Sequence, residues 1–428
     1  MRDPIVPEAG NDGYDVAHYQ WDLTIDPTRG SLRAHGIIDA VATTDLASVQ
    51  LDYSGAPLAS LRVDGANAEH SYTDSKLVIE ANLAAGSRFE IAFDYDGTPE
   101  RSVAQGRLGR FGWIAQNETV HTEVLLPGDM ATILPLNDTP QDPATYALDI
   151  TVPTGYVATA SGHLDGVREQ DGSATYSWRV DSPVSEITLA VGEYFIESVP
   201  APPKLDVEIS VALSADDLAR LDDFGVVPDI IGFFQAGLGP FPYQNLGFTM
   251  VDGLGGAGDS TPARIHLAHT GESGLVHELA HQWMGGVVGT ASSADSWLRE
   301  GFPRFMEMLW LDQTGAAELD VLIAASRDLL GDTTRPPLEV TRASQRGDDV
   351  TYERGALTFH ALYAELGDEL FWQSMATFFD DFAGTSASTD DFIQTVERVS
   401  DQQLANLFDA WLRRPELPPT TQSTSAAD

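Results

Sequence analysis

The chain has 428 residues, with 65 Asp and Glu against 24 Lys and Arg and no cysteine. The length is too great for one ordinary core and implies two or three domains. The formal net charge of −41 argues against nucleic acid or an anionic membrane as partner, and the lack of cysteine excludes disulfides and thiolate metal sites. No apolar run of about 18 residues offers a membrane span. Met1-Arg2-Asp3-Pro4 lacks an apolar leader core, so a mature secreted, extracellular form is expected, with a cytoplasmic protein as the alternative. Lys76 and Lys204 are the only lysines, a balance that fits either a salt-adapted surface or a simple Arg-over-Lys bias.

Residues 1–200 read as a β domain. Lys76-Leu77-Val78-Ile79-Glu80, the segment Phe89 to Tyr95 and the segment Tyr146 to Pro153 alternate apolar and polar residues at period two. Turn signals at Asp96-Gly97, Pro153-Thr154-Gly155 and Asp171-Gly172 separate such segments, which suits a β-sandwich or saddle. No helical pattern of useful length precedes Asp216. The stretch Val199-Pro200-Ala201-Pro202-Pro203 predicts the domain boundary, because proline stiffens a linker and cannot donate to a ladder. A strand over Leu205 to Val211 is expected to open a second domain, 204–415. Helices then follow over 215–222, 227–237, 272–285, 304–313, 316–330, 353–365, 368–382, 389–398 and 402–413. The tail 416–428 is rich in Pro, Ser, Thr and Ala and reads as disordered.

His277-Glu278-Leu279-Ala280-His281 carries the chemistry. Residues four apart on a helix share a face, so both imidazoles can reach one metal ion. The adjacent Glu278 is then the general base, and Glu300, 19 residues beyond His281, supplies a third ligand. Three protein ligands leave a position open, which is the catalytic arrangement for zinc. A plain core helix with two satisfied histidines is the alternative, but without a metal such a cluster leaves buried polar groups to satisfy. His266 and His269, in the approach to this helix, read as solvated loop residues, and His360 as packed or partly exposed.

His277-Glu278-Leu279-Ala280-His281-Gln282-Trp283, the 18-residue gap and Trp297-Leu298-Arg299-Glu300-Gly301-Phe302 together resemble the aminopeptidase N-type gluzincins, peptidase family M1. Tyr352-Glu353-Arg354-Gly355 resembles that family's Tyr-Glu-Lys-Gly segment. Pro135-Leu136-Asn137-Asp138 with Ala144-Thr145-Tyr146 is similar to its N-terminal Pro-x-Asn-Asp and Ala-Thr-Tyr stretches, and the opening Gly10 to Tyr19 to secreted bacterial members. The resemblance reaches to about residue 415 and implies a short bacterial form without the family's C-terminal domains. It implies a multidomain β + α fold, with a mainly helical thermolysin-like catalytic domain after the β domain. It also implies one Zn2+ per chain on His277, His281 and Glu300, Glu278 as base, Tyr352 as donor to the oxyanion, and peptides as substrates.

The same comparison shows departures. Gly256-Ala257-Gly258-Asp259-Ser260 stands where the family has Gly-Ala-Met-Glu-Asn, so Gly256, Ala257 and Asp259 are the expected substrate-binding residues, with a carboxylate one methylene short. The second amine anchor falls in Glu123-Val124-Leu125-Leu126-Pro127, where leucine replaces the expected polar residue unless a shifted loop brings in Glu123. Pro303 replaces the usual alanine after Glu300 and requires any helix there to begin close by. The expected activity is removal of N-terminal residues from peptides. A peptidase that needs no free amine, or a non-catalytic peptide-binding protein on the same fold, is the alternative.

Overall fold

The computed structural model describes residues 3, 5, 7–73, 75–99, 101–102, 111–124, 129–331, 335–342 and 345–419. Alternating burial along Tyr14–Asp26 and Ser31–Ala42 places every second side chain in one core. These two strands are central to an eight-stranded sheet. The first pairs antiparallel with the second and parallel with Ala144–Pro153, in register His18 with Thr145. A five-stranded sheet containing Thr119–Glu123 and Leu189–Gly192, and a three-stranded sheet of Leu46–Asp52, Lys76–Leu83 and His70–Thr73, complete the β half. Trp21, Phe93, Trp113 and Val191 share its apolar core.

The Pro135 to Tyr146 stretch is structural. Asn137 Oδ1 accepts from Asn11 N at 2.8 Å, Asp138 N donates to Asp52 at 3.0 Å, and Tyr146 stacks on Tyr19 at 4.9 Å. Lys76 donates to the buried Asp52 at 2.6 Å. This polar knot fastens the start of the chain to the sheet.

The second half has its own core, running from Val199 to Leu412. A five-stranded sheet orders Phe195–Val199, Glu208–Leu213, Asn245–Met250, Arg264–Leu267 and Gly258–Thr261. Phe195–Val199 pairs with Glu208–Leu213 ahead of the prolines, so this sheet begins before the expected boundary at 200–204. Pro200 to Pro203 lie within a hairpin connection rather than in a linker, and the buried Val199 packs in the second core.

Eight α-helices are described: α1 Val227–Leu238, α2 Glu272–Ala280, α3 Ser296–Gln313, α4 Leu319–Leu330, α5 Gly355–Leu366, α6 Asp368–Asp381, α7 Thr389–Ser400 and α8 Ala405–Phe408. The span expected as 215–222 is a 3-10 turn at Leu218–Val226. The last expected helix is divided into α8 and a π turn at Asp409–Arg413. Of the tail 416–428, residues 420–428 lie outside the described residues.

Helix α3 departs most from expectation. It starts at Ser296, eight residues before the expected 304, and carries Pro303 in its interior. An interior proline loses a backbone bond and costs about 3 kcal/mol. Burial compensates: Trp297, Leu298, Phe302, Phe305 and Met306 are fully enclosed, and Trp297 sits 5.4 Å from Phe359 and 5.9 Å from Phe392. Each such side chain contributes roughly 1.5–3 kcal/mol.

Candidate active site

Helix α2 ends by tightening. Gln282 N and Trp283 N bond the carbonyls of Leu279 and Ala280, both at 3.1 Å, three residues back. The turn brings the Met284 carbonyl to 3.0 Å from His281 Nδ1. That bond takes the Nδ1 proton and leaves Nε2 free. His277 is oriented the same way by Glu307, whose Oε1 lies 2.8 Å from its Nδ1. Glu307 stands seven residues after Glu300 on α3, nearly two full turns along, and so shares its face.

Both Nε2 atoms therefore point to one spot. They are 3.1 Å apart, and each is 3.5 Å from Glu300 Oε2. A tetrahedral zinc ion with bonds of about 2.0–2.2 Å holds its ligand atoms roughly 3.3–3.6 Å apart, so the triangle fits. Glu300 Oε2 is buried with no hydrogen-bond partner of its own. A buried carboxylate oxygen without a donor is costly unless a cation meets it. The donor set, two imidazoles and a carboxylate, suits zinc. Among the described residues this is the one cluster of metal-ligand type.

The local field supports a cation here. Burial pushes the Glu300 carboxyl up, but the His281 and His277 imidazoles outweigh it and hold it well below the usual range. Burial pushes the His277 imidazole down, yet the neighbouring Glu300 and Glu307 carboxylates prevail and raise it to about 10. A metal ion held there would compete with that proton.

Glu278, between the two histidines, is buried. Ser260 Oγ lies 2.6 Å from its Oε2 and 3.0 Å from its backbone carbonyl. A Cβ at position 258 would come within 2.5 Å of the Glu278 carboxyl. Gly258, unexplained by sequence, is therefore the space that Glu278 occupies.

The Tyr352 segment is tied in from four directions. The Tyr352 ring stacks on His277 at 5.6 Å and 21°. Glu353 accepts from Arg304 at 3.0 Å and from Ser326 at 2.5 Å, and Arg304 also bonds Glu307 at 2.7 Å. Arg354 donates to the carbonyls of Trp411 at 2.8 Å and Pro415 at 3.0 Å. Gly355 packs against Gly301, where a Cβ on Gly301 would lie 2.6 Å from the Gly355 backbone. Tyr352 itself lies in a π turn, Val350–Arg354, ahead of α5.

The β half supplies carboxylates to the same region. Arg299, next to Glu300, pairs with Glu186 at 2.9 Å and reaches Glu300 Oε1 at 3.7 Å. Asp259 is buried on the edge strand Gly258–Thr261 and accepts weakly from Val124 N at 3.4 Å. Burial first, then Glu123 and Glu186, push its carboxyl well above the usual range, with Arg299 opposing. Glu123 accepts from Gly255 N at 2.8 and 3.0 Å. Gly256 and Ala257 sit in an exposed bend before the strand. Leu125, Leu126 and Pro127 lie outside the described residues.

Sequence reasoning missed Glu307, Arg299, Ser260 and Glu186. For Glu307 the helical spacing from Glu300 was an available signal; for Glu186 none existed. His266 is also corrected: it is fully buried on the strand Arg264–Leu267, its Nδ1 3.0 Å from Thr188 Oγ1, because that strand runs inside the sheet. His269 is exposed as expected, and His360 is packed on α5.

Comparison with known proteins agrees with this arrangement. Residues 245–411 match the peptidase family M1 domain. A leucyl aminopeptidase of Saccharolobus solfataricus is 22% identical over 89% of the chain and 51% of its own length. Aminopeptidase M1-D of Oryza sativa is 30% identical over 34% of the chain and 18% of its own length. The chain thus spans about half or less of these relatives. Leucine aminopeptidase 2 of Eremothecium gossypii, 25% identical, aligns over 97% of the chain and 70% of its own length. A crystal structure of an M1 zinc metallopeptidase from Deinococcus radiodurans, a variant bound to a Tyr-Ser-Ala substrate, superposes with a TM-score of 0.88 at 27% identity. It covers 97% of this chain and 98% of that one, and a related structure of the two-domain enzyme holds L-arginine. The domain model matches the half that carries the triad, and a two-domain M1 zinc metallopeptidase matches both halves together: residues 245–411 carry a peptidase family M1 domain.

Proposed function

We propose that this chain is a zinc-dependent aminopeptidase that removes N-terminal residues from peptides, with one ion held by His277, His281 and Glu300. The observation that carries this reading is the convergence of three ligand atoms, 3.1–3.5 Å apart, around an otherwise unpartnered Glu300 oxygen. Zinc held there would supply Lewis acidity, polarising the scissile carbonyl and making water more acidic.

The chain's own groups do the rest. Glu278, held by Ser260, accepts a proton from the attacking water and returns it to the leaving amine. Tyr352, braced against His277, donates to the oxygen that gains negative charge. Asp259, with Glu123 nearby, receives the substrate ammonium. A buried carboxyl that resists ionisation alone is one that an incoming cation stabilises. Arg299 keeps Glu300 aimed at the ion and links that position to Glu186 of the β half. Peptides as substrates are supported by the tripeptide held by the two-domain relative.

The test uses Glu278→Gln and a matched pair of substrates. The variant should bind zinc as the parent does and lose roughly 10²–10⁴-fold in kcat. An aminoacyl amide should be cleaved, and its N-acetylated form should not. Wild-type rates in Glu278→Gln contradict the mechanism; equal rates on the two substrates contradict amine anchoring and favour a peptidase indifferent to the free amine.

A further inference from the structure

A cavity of about 1540 Å³ opens where the β half meets the catalytic half, and none of the triad, Glu278 or Tyr352 lines it. Its walls include Trp178 from one half and Arg264, Asn245 and Tyr243 from the other. Arg264 is 3% exposed. Its Nε donates to the Ala160 carbonyl at 3.1 Å and its Nη1 reaches Thr249 Oγ1 only at 3.5 Å. The guanidinium lies 4.9 Å from the Trp178 ring centre. Gly247 on the neighbouring strand makes room for it, since a Cβ there would fall 2.1 Å from Nη1.

Among the described residues no carboxylate pairs with Arg264, although the chain carries a net charge of −41. Burial lowers its guanidinium to about 9, and no neighbouring acid offsets that effect. Among the described residues no protein group accepts a hydrogen bond from Nη2, and Arg264 lines the open cavity. A largely buried guanidinium whose remaining donors face a cavity is a ready partner for an anion, because the surrounding protein supplies no counter-charge. Arg179, which also lines the cavity, is already paired with Asp165.

The wall chemistry selects the anion. Val199, Val207, Ile209 and Trp178 present buried apolar surface. Asp181, Asp206 and Glu208 are exposed lining residues and repel multiply charged ligands. We propose that Arg264 and Trp178 form the base of a second binding site, for a single carboxylate carried on an apolar body. This inference does not depend on the peptidase reading.

Full-length protein crystals soaked with 4-bromobenzoate test it by anomalous scattering. The carboxylate should lie within hydrogen-bonding distance of Arg264 Nη2. Calorimetry in solution should give a Kd in the millimolar range or tighter. N-acetylphenylalanine should bind and its amide should not; binding of benzoate alone would identify a free organic acid, and of the acetylated amino acid alone a peptide end. Arg264→Gln should weaken binding at least tenfold. Ile196→Glu, at a half-exposed position on the cavity wall, should weaken it several-fold at low salt and less at high salt, without touching the core. The proposal is overturned if no acid binds, if the amide binds equally, or if the bromine lies away from Arg264. Should Arg264→Gln fail to fold, the bromine position and Ile196→Glu decide.

Discussion

Glu307 offers the sharpest test of how the metal centre is built. Its carboxylate accepts the Nδ1 proton of His277 at 2.8 Å, and both side chains are about nine-tenths buried. The bond fixes the tautomer that turns Nε2 toward the ion and makes the imidazole more basic. Removing such a supporting partner typically costs about 10–100-fold in metal affinity, or roughly 1.4–2.7 kcal/mol. Glu307→Gln keeps an acceptor but loses the charge, so the loss should sit near tenfold. Glu307→Leu also strands the Nδ1 donor and frees Ser273, and the loss should approach a hundredfold. Arg304 retains Glu353 in either variant, so its own burial is not left uncompensated. Zinc affinity measured by chelator competition, alongside melts of the metal-free proteins, separates ligand orientation from stability. Both variants holding zinc within twofold of the parent would refute the reasoning.

Asp259→Asn should raise KM for free-amine substrates by tenfold or more while changing kcat less; an unchanged KM removes Asp259 as the anchor. Gly301→Ala should destabilise the protein by about 1–3 kcal/mol and cost activity, because the new methyl drives α3 from Gly355 and the Tyr352 turn; melts and kinetics read both. Burial raises the Asp142 carboxyl to about 6, above its unfolded value near 3.8. The folded state then holds the extra proton between those values, so the favourable contribution is present below the lower one and is lost as pH rises toward 6. Asp142→Asn should therefore remove this pH dependence: because it keeps only one of the two acceptors that meet Val16 N and Asn137 Nδ2, it starts below the parent near pH 4 and recovers roughly 1–3 kcal/mol relative to it by pH 7; melts at several pH values check the slope.

The elements most legible in the sequence were those with a local period. The two-residue alternation of the β half and the helices α1, α6 and α7 were readable because the repeat that makes them is also the repeat that buries them. The start of α3 was not. Pro303 signals a helix beginning, and only enclosure of the aromatic face against α5 and α7 explains why the helix runs through it. The short strand Phe195–Val199 was hidden for a related reason: its partner lies beyond the prolines, and pairing is not a local property.

The spacing of His277, Glu278 and His281 came from the sequence alone, since one helical turn fixes which side chains share a face. The need for a third ligand pointed on to Glu300, and resemblance strengthened Glu300 and added Tyr352. What the tertiary structure decided is everything held across the chain: Glu186 and Glu123 of the β half meeting Arg299 and Asp259, Gly258 yielding space to Glu278, and Arg264 left, among the described residues, without a counter-charge at the junction. Local order needs only neighbours along the backbone. Charge compensation and close packing depend on which distant segments the two cores bring together.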